Sequence, residues 1–112
     1  MQIEVKGRNV PVNDELRELV ERKFRKVAAQ VSDLARMELE LREERNPAIA
    51  ESQVAAVTLY LKGATLHAEG ASREQHHAIK LCAVELSRQV TRQNEKKRRR
   101  REARDARPEP AV

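Results

Sequence analysis

The residues best equipped for chemistry in this 112-residue sequence lie near its carboxyl end, where Lys96, Lys97, Arg98, Arg99, Arg100 and Arg101 run unbroken between Glu95 and Glu102. Six adjacent cations repel one another unless solvent or an anionic partner screens them. The block is therefore either a solvated tail or a clamp for phosphates. A clamp has a signature, because each phosphate neutralised by Lys or Arg releases condensed counterions and binding weakens steeply with salt. The charge is also unevenly placed. Residues 1–91 carry fourteen basic and fourteen acidic side chains, so the last 21 residues supply the whole net charge of +5. A neutral body with a basic arm is the electrostatic footprint of a polyanion binder, whether the polyanion is nucleic acid or an anionic membrane surface.

The remaining reactive residue types do not converge. His67, His76 and His77 are the only imidazoles, and the adjacent pair points to different sides of a helix instead of toward one metal. His76 borders an apolar stripe and is expected to pack; His77 falls on a basic face and is expected to be solvated. The single cysteine, Cys82, has no partner for an internal disulfide and reads as a small core residue. No activated nucleophile, glycine-rich phosphate loop or convergent carboxylate pair is present, which argues against catalysis. Neither a cofactor nor a metal is expected. Aromatic residues are limited to Phe24 and Tyr60, so the stacking platform of single-strand readers is missing and recognition is expected to follow backbone shape. Tyr60 is expected on the sheet face away from the core, in ordinary surface packing.

The elements that must position these charges follow from hydrophobic periodicity. Ile3 and Val5 alternate with Gln2, Glu4 and Lys6, the period of a half-buried strand. Asn13 or Asp14 can cap a helix, along which Leu16, Leu19, Val20, Phe24, Val27 and Val31 form one stripe as far as about Gln30. Early acids (Asp14, Glu15, Glu18) and late bases (Lys23, Arg25, Lys26) complement the helix dipole, so part of that basic cluster is ordinary surface charge. Ala35, Met37, Leu39 and Leu41 alternate with charged residues, and Ala55, Val57, Leu59 and Leu61 repeat the pattern after a loop through Asn46 and Pro47. Gly63 permits a tight turn into a fourth strand with Leu66 and Ala68.

From Ser72, a plausible cap, a last helix carries Ile79, Cys82, Ala83, Leu86 and Val90 on one side, with Arg73, His77, Lys80 and Arg88 on the other. The expected architecture is α+β, a single domain of order β-α-β-β-β-α with a four-stranded sheet and two helices packed on one face. Residues 1–94 are assigned to that domain. Residues 95–112 are assigned to a basic tail, partly helical or disordered, whose Pro-rich end "PEPAV" is too short to fold alone.

Composition sets the class: 39% hydrophobic residues suffice for a modest core and 37% charged residues must mostly stay in water. No apolar run approaches the roughly 20 residues of a membrane-spanning helix, and "MQIEVKGRNV" lacks the apolar stretch of a secretion signal, so a cytoplasmic location is expected.

The segments "GRNVPVNDELRELVERKFRKV" and "LSRQVTRQNEKK", together with the three-strand meander between them, resemble the ribosome hibernation-promoting factor family, also called ribosome-associated inhibitor A. The resemblance spans residues 1 to about 97. It implies binding to the small ribosomal subunit and its rRNA, in the channel used by tRNA and mRNA, and a block of translation when growth stops. It further implies Lys23 and Lys26 of the first helix and Arg88, Arg92, Lys96 and Lys97 of the last as RNA contacts. Electrostatics alone adds Arg25, Arg98, Arg99, Arg100 and Arg101. The sequence departs from the family where Asp-Met-Tyr usually opens the last helix, which here reads Glu74, Gln75, His76, and where Lys80 replaces an Asp. A carboxy-terminal dimerisation domain of the family's long type does not fit within this length, so the chain looks like the short type.

Neither a small-molecule substrate nor a membrane is expected as partner. Two other readings stand beside this one. One is a protein-interaction regulator of transcription, of the sigma-factor modulation type. The other is a general double-stranded RNA module, although "REQHHAIKL" lacks the Lys-Lys-x-Ala-Lys pattern of those modules.

Overall fold

The computed structural model describes residues 1–46 and 48–105. Its elements run β1 (Gln2–Arg8), α1 (Asp14–Lys23), α2 (Arg25–Gln30), β2 (Arg36–Glu43), β3 (Gln53–Leu61), β4 (Ala64–Ser72) and α3 (Gln75–Asp105). The sheet order is β1-β2-β3-β4. Strand β1 pairs parallel to β2, because the helical segment between them carries the chain back across the sheet, whereas β2, β3 and β4 form the antiparallel meander. The expected α+β architecture, with its helices on one sheet face, is the architecture found.

Register explains the layering. Ile3 lies opposite Met37, which lies opposite Leu59, and that row continues to Leu66 on β4. Leu16, Leu19, Val20, Phe24 and Val27 from α1 and α2, with Ile79, Cys82, Leu86 and Val90 from α3, close over the same face as one core. The largest side chains there, Phe24, Met37, Leu39 and Leu59, are fully buried. Gly63, with φ +80°, completes the two-residue turn from β3 to β4, in a backbone region that a side chain disfavours.

Two details differ from the periodicity reading. The first helix is not continuous: it breaks at Phe24, whose φ −98° and ψ 9° leave the helical basin. The apolar stripe hides the break because hydrogen bonds bridge it, from Phe24 N–H to the Val20 carbonyl and from Ala28 N–H to the Phe24 carbonyl, both 2.9 Å. The last helix opens at Gln75, later than a cap at Ser72 implies, because pairing of Ser72 with Gln53 holds that residue in β4. Ser72 still serves the helix start, its Oγ accepting the Glu74 N–H at 3.3 Å.

Helix α3 continues without interruption through Glu95 and the six-cation block to Asp105. At 1.5 Å per residue its 31 residues span roughly 46 Å. Residues 106–112, including "PEPAV", and Pro47 lie outside the described residues.

Candidate nucleic-acid interface

Helix α3 packs beside α1 and α2, and the seam between them opens to solvent as a groove of about 530 Å³. Its α3 wall comes from residues at spacings of three and four, Lys80, Val84, Ser87 and Thr91, which share one helix face. The facing wall carries Lys23, Lys26 and Val27, placed by the turn at Phe24, so two lysines stand across from Lys80, Arg88 and Arg92. All five cations are exposed.

The charge of this groove is almost uncompensated. Of the five cations, Arg88 alone has an ion-pair partner among the described residues, Glu85 at 3.2 Å one helical turn earlier. That pair is solvent-exposed and worth only a few tenths of a kcal/mol. The one carboxylate in the lining, Glu95, makes no ion pair with a described residue. Two hydrogen bonds fix the wall spacing at one end: Thr91 Oγ1 donates to Gln30 Oε1 at 3.2 Å, and Asn94 Nδ2 donates to the Gln30 carbonyl oxygen at 3.2 Å. The apolar part of the lining is Val27, Ala83 and Val84; Val27 is 1% and Ala83 6% exposed, so Val84, with 48% of its surface exposed, is the apolar side chain that solvent reaches.

The structure sorts the sequence-predicted residues into three places. Lys23, Lys26, Arg88 and Arg92 meet in the groove. Lys96 lies beside a smaller hollow that also includes Arg92, Glu85 and Leu66. Lys97, Arg98, Arg99, Arg100 and Arg101 are exposed on the far part of α3, where Arg98 pairs with Glu102 at 3.7 Å along the helix. Arg25 is exposed and does not line the groove. Lys80, set aside in the sequence as a departure from the family pattern, does line it, and so do the Ser87 and Thr91 hydroxyls. Helical spacing put Lys80 and Arg88 on one face; their position opposite Lys23 and Lys26 is a tertiary fact.

The imidazoles stay apart. His76 is exposed and not packed into the core; it lies with Gln75 in a shallow hollow that also includes Val10, Pro11, Leu16 and Leu19. His77 Nδ1 lies 2.8 Å from Ser72 Oγ, and His67 Nδ1 lies 3.1 Å from Thr58 Oγ1 on the outer sheet face. No group of three or more potential metal ligands occurs among the described residues. Cys82 is buried with its thiol pushed up to about 12, first by desolvation and then by the Glu69 carboxylate. Tyr60 is half-buried on the outer face, where its hydroxyl donates to Glu38 Oε2 at 3.3 Å and the Arg36 guanidinium sits 4.7 Å over its ring. No described helix is long and apolar enough to cross a membrane.

The class is thus that of a small α+β module with a basic groove between its helices. The chain belongs to the Sigma 54 modulation protein / S30EA ribosomal protein family, whose model matches residues 3–98. It is 29% identical over 96 residues to a ribosome hibernation promoting factor of Salmonella typhimurium, covering 86% of this chain and 96% of that one. A ribosome hibernation promoting factor of Escherichia coli K12 is 27% identical over the same lengths. Two solved structures share the fold at a TM-score of 0.71. One is a ribosomal subunit interface protein from Coxiella burnetii, with 19% identity, 85% of this chain and 99% of that one covered. The other is the Protein Y N-terminal domain of Thermus thermophilus, with 22% identity and coverages of 82% and 98%.

Proposed function

We propose that this protein is a ribosome hibernation factor that binds small-subunit rRNA in the tRNA and mRNA channel and so blocks translation. The observation that carries the reading is the convergence of Lys23, Lys26, Lys80, Arg88 and Arg92 on one groove with a single carboxylate among them. The helices fix where these cations start from, and among the described residues only Arg88 has an ion pair to give up before it meets a phosphate. In this reading residues 1–94 supply fit and the basic residues from 95 onward supply electrostatic affinity. Inhibition is steric and reversible, it takes place in the cytoplasm, and it requires no covalent step.

Co-sedimentation with purified small ribosomal subunits across a salt series, with tRNA or mRNA as competitor, tests this. Stoichiometric pelleting that the competitor abolishes supports channel occlusion. Pelleting at low salt alone, indifferent to competitor, removes it. The family description also names sigma 54 modulation, and partner capture from lysate that survives nuclease treatment would favour that second reading.

A further inference from the structure

The six-cation block is not symmetrical about its helix. About eighteen residues of α-helix make five full turns, so positions i and i+18 fall on one line along it. Lys96, Lys97, Arg100 and Arg101 therefore continue the lines of Ala78, Ile79, Cys82 and Ala83, all buried on the face that α3 lays against the sheet. Arg98 and Arg99 continue Lys80 and Leu81, both exposed, and the bounding acids Glu95 and Glu102 continue His77 and Val84, also exposed. The packing face of the helix thus turns cationic beyond the body and holds neither bounding acid. None of its four cations has an ion pair with a described residue, whereas Arg98 is held by Glu102 at 3.7 Å.

A buried stripe that turns cationic where the sheet gives out suits an anionic surface in the sheet's place. Lys96 marks the crossover, since it shares a hollow with Leu66 of β4, and Lys97, Arg100 and Arg101 lie beyond it. This face does not point the way the groove opens. By the same helical arithmetic, the groove wall of Lys80, Val84, Ser87 and Thr91 lies about 140° around the axis from it. Resting on the nucleic-acid reading above, we infer that the extension carries a second RNA site on its sheet-side face, so that one chain holds two RNA segments at once. One segment lies in the groove and the other against Lys96, Lys97, Arg100 and Arg101. The second is held through its phosphates, because Lys and Arg side chains only donate. Holding two segments at a fixed angle is a bridging activity that a single clamp lacks. Arg92 stands on the shoulder between the faces and lines both hollows, so one strand bent around it is the arrangement the experiment must exclude.

The experiment uses the full chain and two short, non-complementary RNA hairpins, one carrying a donor fluorophore and the other an acceptor. With hairpins in excess, sedimentation should find two RNAs on each wild-type chain. Energy transfer should rise and then fall as protein is added, because excess chains separate the hairpins again. Two variants then remove equal charge from the same exposed stretch. Lys97→Gln with Arg101→Gln strikes the sheet-side face and should weaken the second hairpin selectively, by about five-fold or more, the scale of two exposed charge contacts. Arg98→Gln with Arg99→Gln should weaken both hairpins alike, through the lost net charge, and keep two per chain. Lys23→Gln with Lys26→Gln should weaken the hairpin in the groove, and adding Lys97→Gln and Arg101→Gln to it should weaken both, as independent sites require.

A single hairpin per wild-type chain at RNA excess overturns the inference, and so does energy transfer confined to particles that contain two protein chains. Equal loss of the second hairpin in the Lys97→Gln, Arg101→Gln and the Arg98→Gln, Arg99→Gln variants also overturns it, since total charge and not direction is then the cause. Subunit pelleting is read separately, so one hairpin per chain with intact pelleting removes the second site and leaves the ribosomal reading standing. Two hairpins per chain without pelleting would do the reverse.

Discussion

Asn94 Nδ2 donates to the Gln30 carbonyl oxygen at 3.2 Å, joining residues 64 positions apart. Gln30 ends α2, so its carbonyl is among those a helix terminus leaves without an intrahelical partner. Thr91 reinforces the tie through the Gln30 side chain. These are the last hydrogen bonds from α3 to the rest of the chain among the described residues, so the free run of α3 starts just beyond them. The tie therefore sets both the width of the groove and the point from which the basic extension projects.

Removing the tie should loosen the groove more than it unfolds the protein. Thr91→Val with Asn94→Ala deletes two solvent-exposed hydrogen bonds, a combined loss of about 1 kcal/mol. Thermal unfolding should fall by roughly 4–8 °C for a domain of this size. Hydrogen exchange at residues 25–30 should accelerate beyond that global change, because α2 is only six residues long and depends on its neighbours.

Gly70 governs the other side of α3. A Cβ there would stand 2.5 Å from the Ala78 carbonyl oxygen and 2.6 Å from the Cys82 amide nitrogen, both helix backbone. Gly70→Ala must push α3 off β4, costing about 1–3 kcal/mol as overpacking does. Gly63→Ala is the contrasting case, with open space around the Cβ but φ +80°, and should cost about 1 kcal/mol through backbone strain alone. Denaturant melts of the two variants compare the mechanisms, and Gly70→Ala alone should also weaken RNA binding, since it displaces the groove's wall.

Much of this arrangement is legible in the sequence because strands and helices bury fixed periods. Met37, Leu39 and Leu41 announce a face, and every one is fully buried. What periodicity misses is set by contacts distant in sequence. The break at Phe24 involves neither Pro nor Gly, and a stripe that continues across it carries no trace of the altered dihedrals. Ser72 has the chemistry of a cap, yet pairing with Gln53 outweighs that local preference. The cations of the site could be enumerated from the chain, but which of them face one another could not. Lys80 joins Lys23 and Arg25 does not, and only the packing angle of α3 against the bent first helix decides it.

Cys82 makes the stability alkali-sensitive. Burial, then the Glu69 carboxylate, raises the thiol from an ordinary 9.0 to about 12 in the folded protein. Below pH 9 the thiol is neutral in both states and contributes no pH dependence. Between about 9 and 12 only the unfolded chain ionises, so stability falls with rising pH by up to about 1.4 kcal/mol per unit. Cys82→Ala should flatten that limb of the pH profile, at the cost of a small cavity. Native protein should also resist alkylation at pH 8 until denaturant is added, since the thiolate is the reacting form.

The groove and the extension should fail in different ways when neutralised. Arg98→Gln, Arg99→Gln, Arg100→Gln and Arg101→Gln together remove cations from an exposed helix, where the one ion pair among the described residues, Arg98 with Glu102 at 3.7 Å, stabilises it little. Thermal unfolding should stay nearly unchanged. The dependence of log affinity on log salt should flatten by roughly 0.7–0.9 for each phosphate that is no longer neutralised. Lys23→Gln, Lys26→Gln and Lys80→Gln also touch only exposed side chains, so the fold should again be preserved. Here, however, saturable and competitor-sensitive pelleting with small subunits should disappear, leaving the salt-sensitive background that the extension supplies. If the two sets instead produced the same flattening and the same residual binding, the groove would be no more than additional surface charge, and position on the fold would have no part in recognition.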